Sequence, residues 1–208
     1  MMNLTERQKN QPSTNNQSPI DILQFVPGIW VNGNCHWLQN TTEKVIYDEE
    51  LIMKVKQEQI HSKIRFSSVY VSNHSDQMKE IKILAMHHFL NVGQDHLTFV
   101  SPADNHIFHH ANKKAFLINA HYNQSGMKEY TSMPLWTAYT DQIWGSIQKG
   151  ILKYQPMAKG PAASIFAMKM SVAPHETSKM TTWTITGSSK SELILMEKAL
   201  KKNTSISL

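Results

Sequence analysis

One ten-residue stretch decides the fold: Ala163-Ser164-Ile165-Phe166-Ala167-Met168-Lys169-Met170-Ser171-Val172. It alternates with a period of two, so every second side chain lies on the same face of an extended chain. The same alternation fills residues 64–71 and 80–89, and a further strand is predicted over residues 115–120. Many short segments of this kind are typical of an all-β, antiparallel sandwich.

The residues after this stretch predict a hairpin and then a helix. A turn at residues 174–176 separates the stretch from a strand at 181–186, and we expect these two strands to pair. Ser189 and Glu192 have the spacing of a capping box, in which the serine oxygen accepts from the glutamate amide and the glutamate reaches back to the serine amide. A short C-terminal helix is therefore predicted over residues 190–201.

The composition indicates three regions. Residues 1–19 are rich in Asn, Gln, Ser, Thr and Pro, and they predict a disordered polar tail. Residues 20–187 form the predicted β-sandwich domain, and residues 188–208 the helix and a tail. Residues 130–158 fit neither a helical nor a strand pattern, and long irregular segments in compact domains are often functional or pack over an edge.

Charge, cysteine content and hydropathy limit the functions to be considered. The chain carries a net charge of +5, but its basic residues are scattered and only two are arginines, so we do not expect a nucleic-acid partner. The sequence contains no uninterrupted apolar run of ~18 residues, so we do not expect a membrane span. A single cysteine, Cys35, excludes an internal disulfide and fits a cytoplasmic location.

Four segments carry a resemblance to a known family. They are residues 28–38, which contain Gly28-Ile29-Trp30-Val31-Asn32-Gly33, residues 69–89, residues 105–117 and residues 162–187. In this order and spacing they resemble the N-terminal β-sandwich, or supersandwich, domain of bacterial glucoamylase- and glucodextranase-like enzymes of glycoside hydrolase family 15. The resemblance spans residues 28–201.

The resemblance implies a function without catalysis. In that family the sandwich is followed by an (α/α) barrel that carries the paired catalytic carboxylates, whereas this sequence stops at Leu208. We therefore expect a non-catalytic, carbohydrate-associated domain that binds a glucan or supports a separate glycosidase partner. The alternative is a small stand-alone sugar hydrolase or epimerase with a site on a concave face.

Four residues are the candidate carbohydrate site: Trp136, Tyr139, Asp141 and Trp144. Aromatic faces pack against the apolar side of sugar rings, and carboxylate or amide groups bind the hydroxyls. The alternative is that the aromatic residues of this segment cover an edge of the sandwich.

Histidines could ligate a metal ion, and paired carboxylates could catalyse hydrolysis. The chain has eleven histidines, and His106, His109 and His110 lie close in sequence, but we interpret them as strand residues at a sheet margin and predict no metal and no cofactor. Glycoside hydrolysis needs two facing carboxylates, and no pattern brings a pair together, so no catalytic residue is predicted. The sequence does not decide whether the protein forms a homodimer through an exposed sheet edge, or whether the terminal helix contacts a partner protein.

Overall fold

A computed structural model describes residues 19–90 and 95–203 of the 208-residue chain. Within these two ranges the chain forms sixteen β-strands and one α-helix, with short 3₁₀ turns between some of them. The polar tail predicted over residues 1–19 lies outside the described residues except for Pro19, which begins the 3₁₀ turn Pro19–Ile22. The disorder of that tail therefore stays a prediction.

The first eight strands are β1 (Leu23–Val31), β2 (Asn34–Trp37), β3 (Glu43–Ile46), β4 (Leu51–His61), β5 (Ile64–Asn73), β6 (Lys79–Phe89), β7 (Leu97–Ser101) and β8 (His106–Ala111). The next eight are β9 (Lys114–Tyr122), β10 (Ser125–Gly126), β11 (Glu129–Pro134), β12 (Trp144–Ser146), β13 (Ile151–Leu152), β14 (Met157–Lys159), β15 (Ala162–Val172) and β16 (Thr177–Gly187). The helix α1 follows at Lys190–Asn203.

The strands form two large antiparallel sheets. The five-stranded sheet has the order β11-β15-β6-β1-β2. The nine-stranded sheet has the order β14-β7-β8-β9-β16-β5-β4-β3, and β10 pairs with β9 beside it. The short strands β12 and β13 pair with each other. The predicted all-β antiparallel architecture with one short terminal helix is confirmed.

Alternation along the strands distributes the apolar residues over three layers. Ile81, Ile83 and Ala85 of β6 face the nine-stranded sheet and belong to the main core between the two sheets. Leu84 and Met86 of the same strand point to the opposite face and belong to a second cluster. Both faces of the five-stranded sheet are therefore covered, which explains why β6 is apolar at consecutive positions.

The helix covers the outer face of the nine-stranded sheet. Leu193 and Leu200 pack against Trp183 of β16, and Met196 packs against the same cluster. The apolar side of α1 is therefore used within the chain. The predicted cap forms in part: the Glu192 amide donates to Ser189 Oγ at 3.2 Å, but the Glu192 carboxylate accepts from the Ser188 amide at 2.8 Å.

The predicted pairing of the last two long strands is wrong. β15 pairs with β6 and β11, whereas β16 pairs with β5 and β9, so the strands belong to different sheets. Alternation identifies a strand by its two faces and contains no information about its hydrogen-bonded neighbours. A corner at residues 173–176 carries the chain from one sheet to the other.

Most of the irregular segment forms a cover over the five-stranded sheet. Its first strand, β11, is the edge strand of that sheet, and its last strand, β14, pairs with β7 at the edge of the nine-stranded sheet. The cover between them contains two 3₁₀ turns at Leu135–Thr137 and Asp141–Ile143 and the short strands β12 and β13. Its apolar side chains, among them Ile143 and Leu152, pack against Leu84 and Met86 of β6. The segment lacks a period because its residues pack on a face of the sheet in short pieces.

Candidate functional site

A groove lies at the side of the sandwich where the outermost strands are short. β2 pairs with β1 only at Gly28–Val31, and β3 pairs with β4 only at Leu51–Lys54. Residues 38–42 connect the two sheets here: the Leu38 amide donates to the Pro27 carbonyl at 2.9 Å, and the Val55 amide donates to the Thr42 carbonyl at 2.8 Å. The part of β1 before Gly28 has no β2 neighbour, and the part of β4 after Lys54 has no β3 neighbour. Both parts border the groove.

The groove has a volume of about 750 Å³ and a mixed lining. Its polar lining consists of amides and hydroxyls, from Gln24, Gln39, Asn40, Thr41, Thr42 and Gln57. Its remaining lining is apolar or aromatic, from Phe25, Val26, Pro27, Leu38, Val55, His88, Leu90 and Tyr139. Among these described lining residues there is no Asp, Glu, Lys or Arg, so the groove matches an uncharged ligand that forms hydrogen bonds.

Two rings fix the wall of the groove that lies toward the cover. Tyr139 meets Trp37 edge-on, with ring centroids 6.2 Å apart, and meets His88 edge-on at 6.3 Å. The Tyr139 hydroxyl lies 3.3 Å from His88 Nε2, and His88 Nδ1 lies 3.3 Å from the Phe89 carbonyl oxygen. Burial lowers the pKa of His88, and burial raises the pKa of Tyr139, so both groups are uncharged at neutral pH.

The structure separates the four residues of the candidate carbohydrate site. Tyr139 is 42% exposed and lines the groove, whereas Trp136 is 72% exposed on the surface of the cover. Trp144 is only 8% exposed and packs in the cluster beneath the cover. Asp141 begins a 3₁₀ turn on the surface. Burial raises the pKa of the Cys35 thiol to about 12, and the negative charge of Asp141 adds to this effect.

Most residues of the groove lining have no local sequence signal that marks them as a site. Residues 39–42 are a run of amides and hydroxyls between two strands, which by itself indicates only a connection. Phe25 and Gln57 belong to different sheets and meet at the groove only through the tertiary fold. His88 lies on β6, and the pairing of β6 with β1 and β15 sets the face of the strand from which its side chain reaches the groove.

A second polar cluster lies between the two sheets. Ser164 Oγ is 2.7 Å from His109 Nε2, and His109 Nδ1 is 3.1 Å from His96 Nε2. This order matches a nucleophile, a base and an orienting group. All three residues are at most 1% exposed, however, so the chain of hydrogen bonds has no access for a substrate and instead links the sheets.

The buried histidines between the sheets, His87, His96 and His109, are uncharged. Burial lowers the pKa of His87 to about 3, and the nearby Arg65 charge and His88 add to the effect. Burial also lowers the pKa of His96 to about 4 and places the pKa of His109 well below its usual range. A protonated imidazole is therefore strongly disfavoured in the core at neutral pH.

The described residues contain neither a metal-ligand cluster nor a membrane-spanning helix, and the sequence has no match among known families. Across residues 19–90 and 95–203, His, Cys, Asp and Glu side chains form no group of three that could hold a metal ion. The only helix of the described part, α1, has neither the length nor the apolar character needed to cross a membrane. The sequence matches no family model and no curated protein.

Proposed function

We propose that the protein is a non-catalytic, carbohydrate-associated β-sandwich whose groove binds a short neutral glucan. The observation that carries the proposal is the uncharged lining, which combines amides and hydroxyls with aromatic and aliphatic side chains. A sugar offers hydroxyls to the amides and an apolar ring face to the aromatic wall, so this mixture favours a carbohydrate over a charged metabolite.

The absence of carboxylates from the described lining favours binding over hydrolysis. Cleavage of a glycosidic bond needs a carboxylic acid and a second carboxylate on opposite sides of the bond. The closest His–carboxylate pair in the described chain, His106 and Glu197, is 2.7 Å apart but is buried beneath α1. A stand-alone sugar-processing enzyme is therefore the less favoured alternative.

A thermal-shift titration tests the proposal with maltose, isomaltose and maltotriose as probes. A ligand that binds only the folded chain stabilises it by about 2.7 kcal/mol at a hundred times its dissociation constant. We expect a saturable rise in Tm that is lost in Tyr139→Ala and reduced in Gln57→Ala. Trp136→Ala is the matched control, because this exposed aromatic side chain lies on the same segment but outside the groove lining.

Three outcomes separate the possibilities. A rise retained in Trp136→Ala and lost in Tyr139→Ala supports the groove as the glucan site. A rise lost only in Trp136→Ala places sugar binding on the outer cover and contradicts the groove. No rise with any of the three sugars contradicts glucan binding, and support of a separate glycosidase partner would then be the function to test.

A further inference from the structure

The proton on His88 has a defined position. Nδ1 of His88 lies 3.3 Å from the Phe89 carbonyl oxygen, and a carbonyl oxygen can only accept a hydrogen bond. Nδ1 therefore carries the proton. Because burial keeps the ring neutral, Nε2 carries a lone pair and can act only as an acceptor.

This tautomer orients the hydroxyl group of Tyr139. Nε2 of His88 lies 3.3 Å from the Tyr139 oxygen, so the tyrosine donates its proton to the histidine. The edge contacts with Trp37 and His88 hold the ring in the orientation that this hydrogen bond needs. The tyrosine oxygen keeps its lone pairs and has no second proton to offer.

We propose that Tyr139 acts in the groove as a hydrogen-bond acceptor only, so that this position selects a ligand hydroxyl and disfavours an ether or carbonyl oxygen. The hydrogen bonds then run in one direction, from the ligand hydroxyl to Tyr139, from Tyr139 to His88 and from His88 to the Phe89 carbonyl. The choice of a sugar as the ligand rests on the proposed function, whereas the direction of the hydrogen bonds rests on the geometry.

The opposite direction is unfavourable for a physical reason. If Nε2 carried the proton, the lone pair of Nδ1 would face the lone pairs of the Phe89 carbonyl at 3.3 Å inside a buried site. Two acceptors facing each other away from water lose a hydrogen bond and repel. His88 is therefore a positioning residue that sets the polarity of Tyr139.

Nitrogen-15 NMR of the full chain tests the direction without any ligand. We expect His88 to show a protonated Nδ1 and an unprotonated Nε2 at pH 7, and its signals are identified as those that shift in Tyr139→Phe. A protonated Nε2 would overturn the proposal. Tyr139→Phe removes one oxygen from a partly exposed ring, so it leaves the packing of the ring intact.

Calorimetric titration with maltotriose tests the effect on binding. Tyr139→Phe should weaken binding about tenfold, the cost of one hydrogen bond, while Trp136→Phe should leave it unchanged. Wild-type affinity in Tyr139→Phe would overturn the acceptor role and leave the proposed function standing. Lack of binding to the wild type, together with the expected NMR spectrum, would contradict the proposed function and support the direction of the hydrogen bonds.

Discussion

Two tryptophans of the cover, eight positions apart, have opposite environments. Trp136 is 72% exposed on the 3₁₀ turn Leu135–Thr137, whereas Trp144 is 8% exposed at the start of β12. Trp144 packs with residues of β6 and β15, among them Met86 and Ile165. The environment of each residue, and not its type, decides whether it stabilises the cover or is available at the surface.

We expect Trp144→Ala to lower the free energy of unfolding by about 3–5 kcal/mol, because it leaves a cavity beneath the cover. Trp136→Ala should change it by no more than about 0.5 kcal/mol. Urea denaturation followed by circular dichroism measures both values. Equal effects of the two substitutions would mean that the cover does not pack on the sheet as described.

At the scale of the element, one carboxylate holds the terminal helix on the sheet. Glu197 of α1 accepts hydrogen bonds from His106 Nε2 and Asn119 Nδ2, both at 2.7 Å, and from Trp183 Nε1 at 3.1 Å. Burial by itself raises the pKa of Glu197, but the hydrogen bonds and charge of His106, with Asn119 and Lys201, hold it at about 2. The helix is therefore fixed by polar contacts as well as by its leucines.

Glu197→Ala should detach α1 and cost about 3–5 kcal/mol, because it leaves three buried donors without their shared acceptor. Hydrogen exchange of the helix amides checks this directly, and we expect faster exchange throughout α1. Lys198→Ala, on the exposed side of the same turn, is the control and should exchange like the wild type. Unchanged protection in Glu197→Ala would show that the apolar contacts suffice.

Another element-scale feature is the side chain of Asn73, which joins two of the corners where the chain passes from one sheet to the other. Asn73, at the end of β5, donates through Nδ2 to the Gln77 carbonyl at 2.7 Å and to the Val172 carbonyl at 3.1 Å. Its Oδ1 accepts from the Ser75 amide at 3.0 Å. Asn73 therefore fixes the corner after β5 against the corner after β15.

Asn73→Asp should destabilise the chain by at least about 1–3 kcal/mol, since the side chain keeps its size but directs acceptors at buried carbonyl groups. Asn73→Ala should cost a similar amount through the unpaired carbonyls. His74→Ala, at the exposed neighbouring position, serves as the control. Guanidinium unfolding measures all three, and a neutral effect of Asn73→Asp would contradict the assigned hydrogen bonds.

For the whole molecule, the neutral histidines between the sheets couple stability to pH. His87 packs between the rings of Phe25 and Phe166, with centroids 5.1 Å and 6.2 Å away, and its pKa is lowered to about 3. An unfolded histidine has a pKa near 6.5, so the unfolded chain binds more protons below that pH. Stability is therefore full above pH 6.5 and is lost as the pH falls toward 3.

We expect the free energy of unfolding to be level between pH 7 and 8 and to fall below pH 6.5. His87 alone contributes up to ~1.4 kcal/mol per pH unit in this window. His87→Phe should reduce the slope, while His110→Gln, at an exposed position of β8, should not. Unfolding curves from pH 7.5 to 4.5 measure the slopes, and an unchanged slope in His87→Phe would contradict the assignment.

Local patterns were sufficient for five of the long strands and for the helix, but they did not predict β1 or β4. Alternation predicted β5, β6, β9, β15 and β16, and the capping-box pair of Ser189, before α1, and Glu192, in its first turn, predicted the start of the helix. They did not predict that β15 and β16 enter different sheets, because alternation describes the faces of a strand and not its edges. The secondary structure of the cover was not predicted because its short pieces have no common period, whereas packing of its aromatic residues over the sandwich was one of the two alternatives.

In the candidate site, too, the residue types can be read from the sequence, whereas their proximity depends on the tertiary structure. Tyr139 was identified from its residue type, but its proximity to Gln57 and Phe25 depends on how the two sheets meet. The burial that keeps His88 neutral is likewise a property of the assembled sheets and not of the residues around it in sequence.

The sequence by itself determined the all-β class, the positions of five of the long strands and the terminal helix, since each depends on contacts within a few residues. Only the tertiary structure decided the strand order, the groove between β1 and β4, and the exposure of each aromatic residue on the cover. These depend on pairs of residues far apart in the chain, and the free energy of such contacts has no signature in a local pattern.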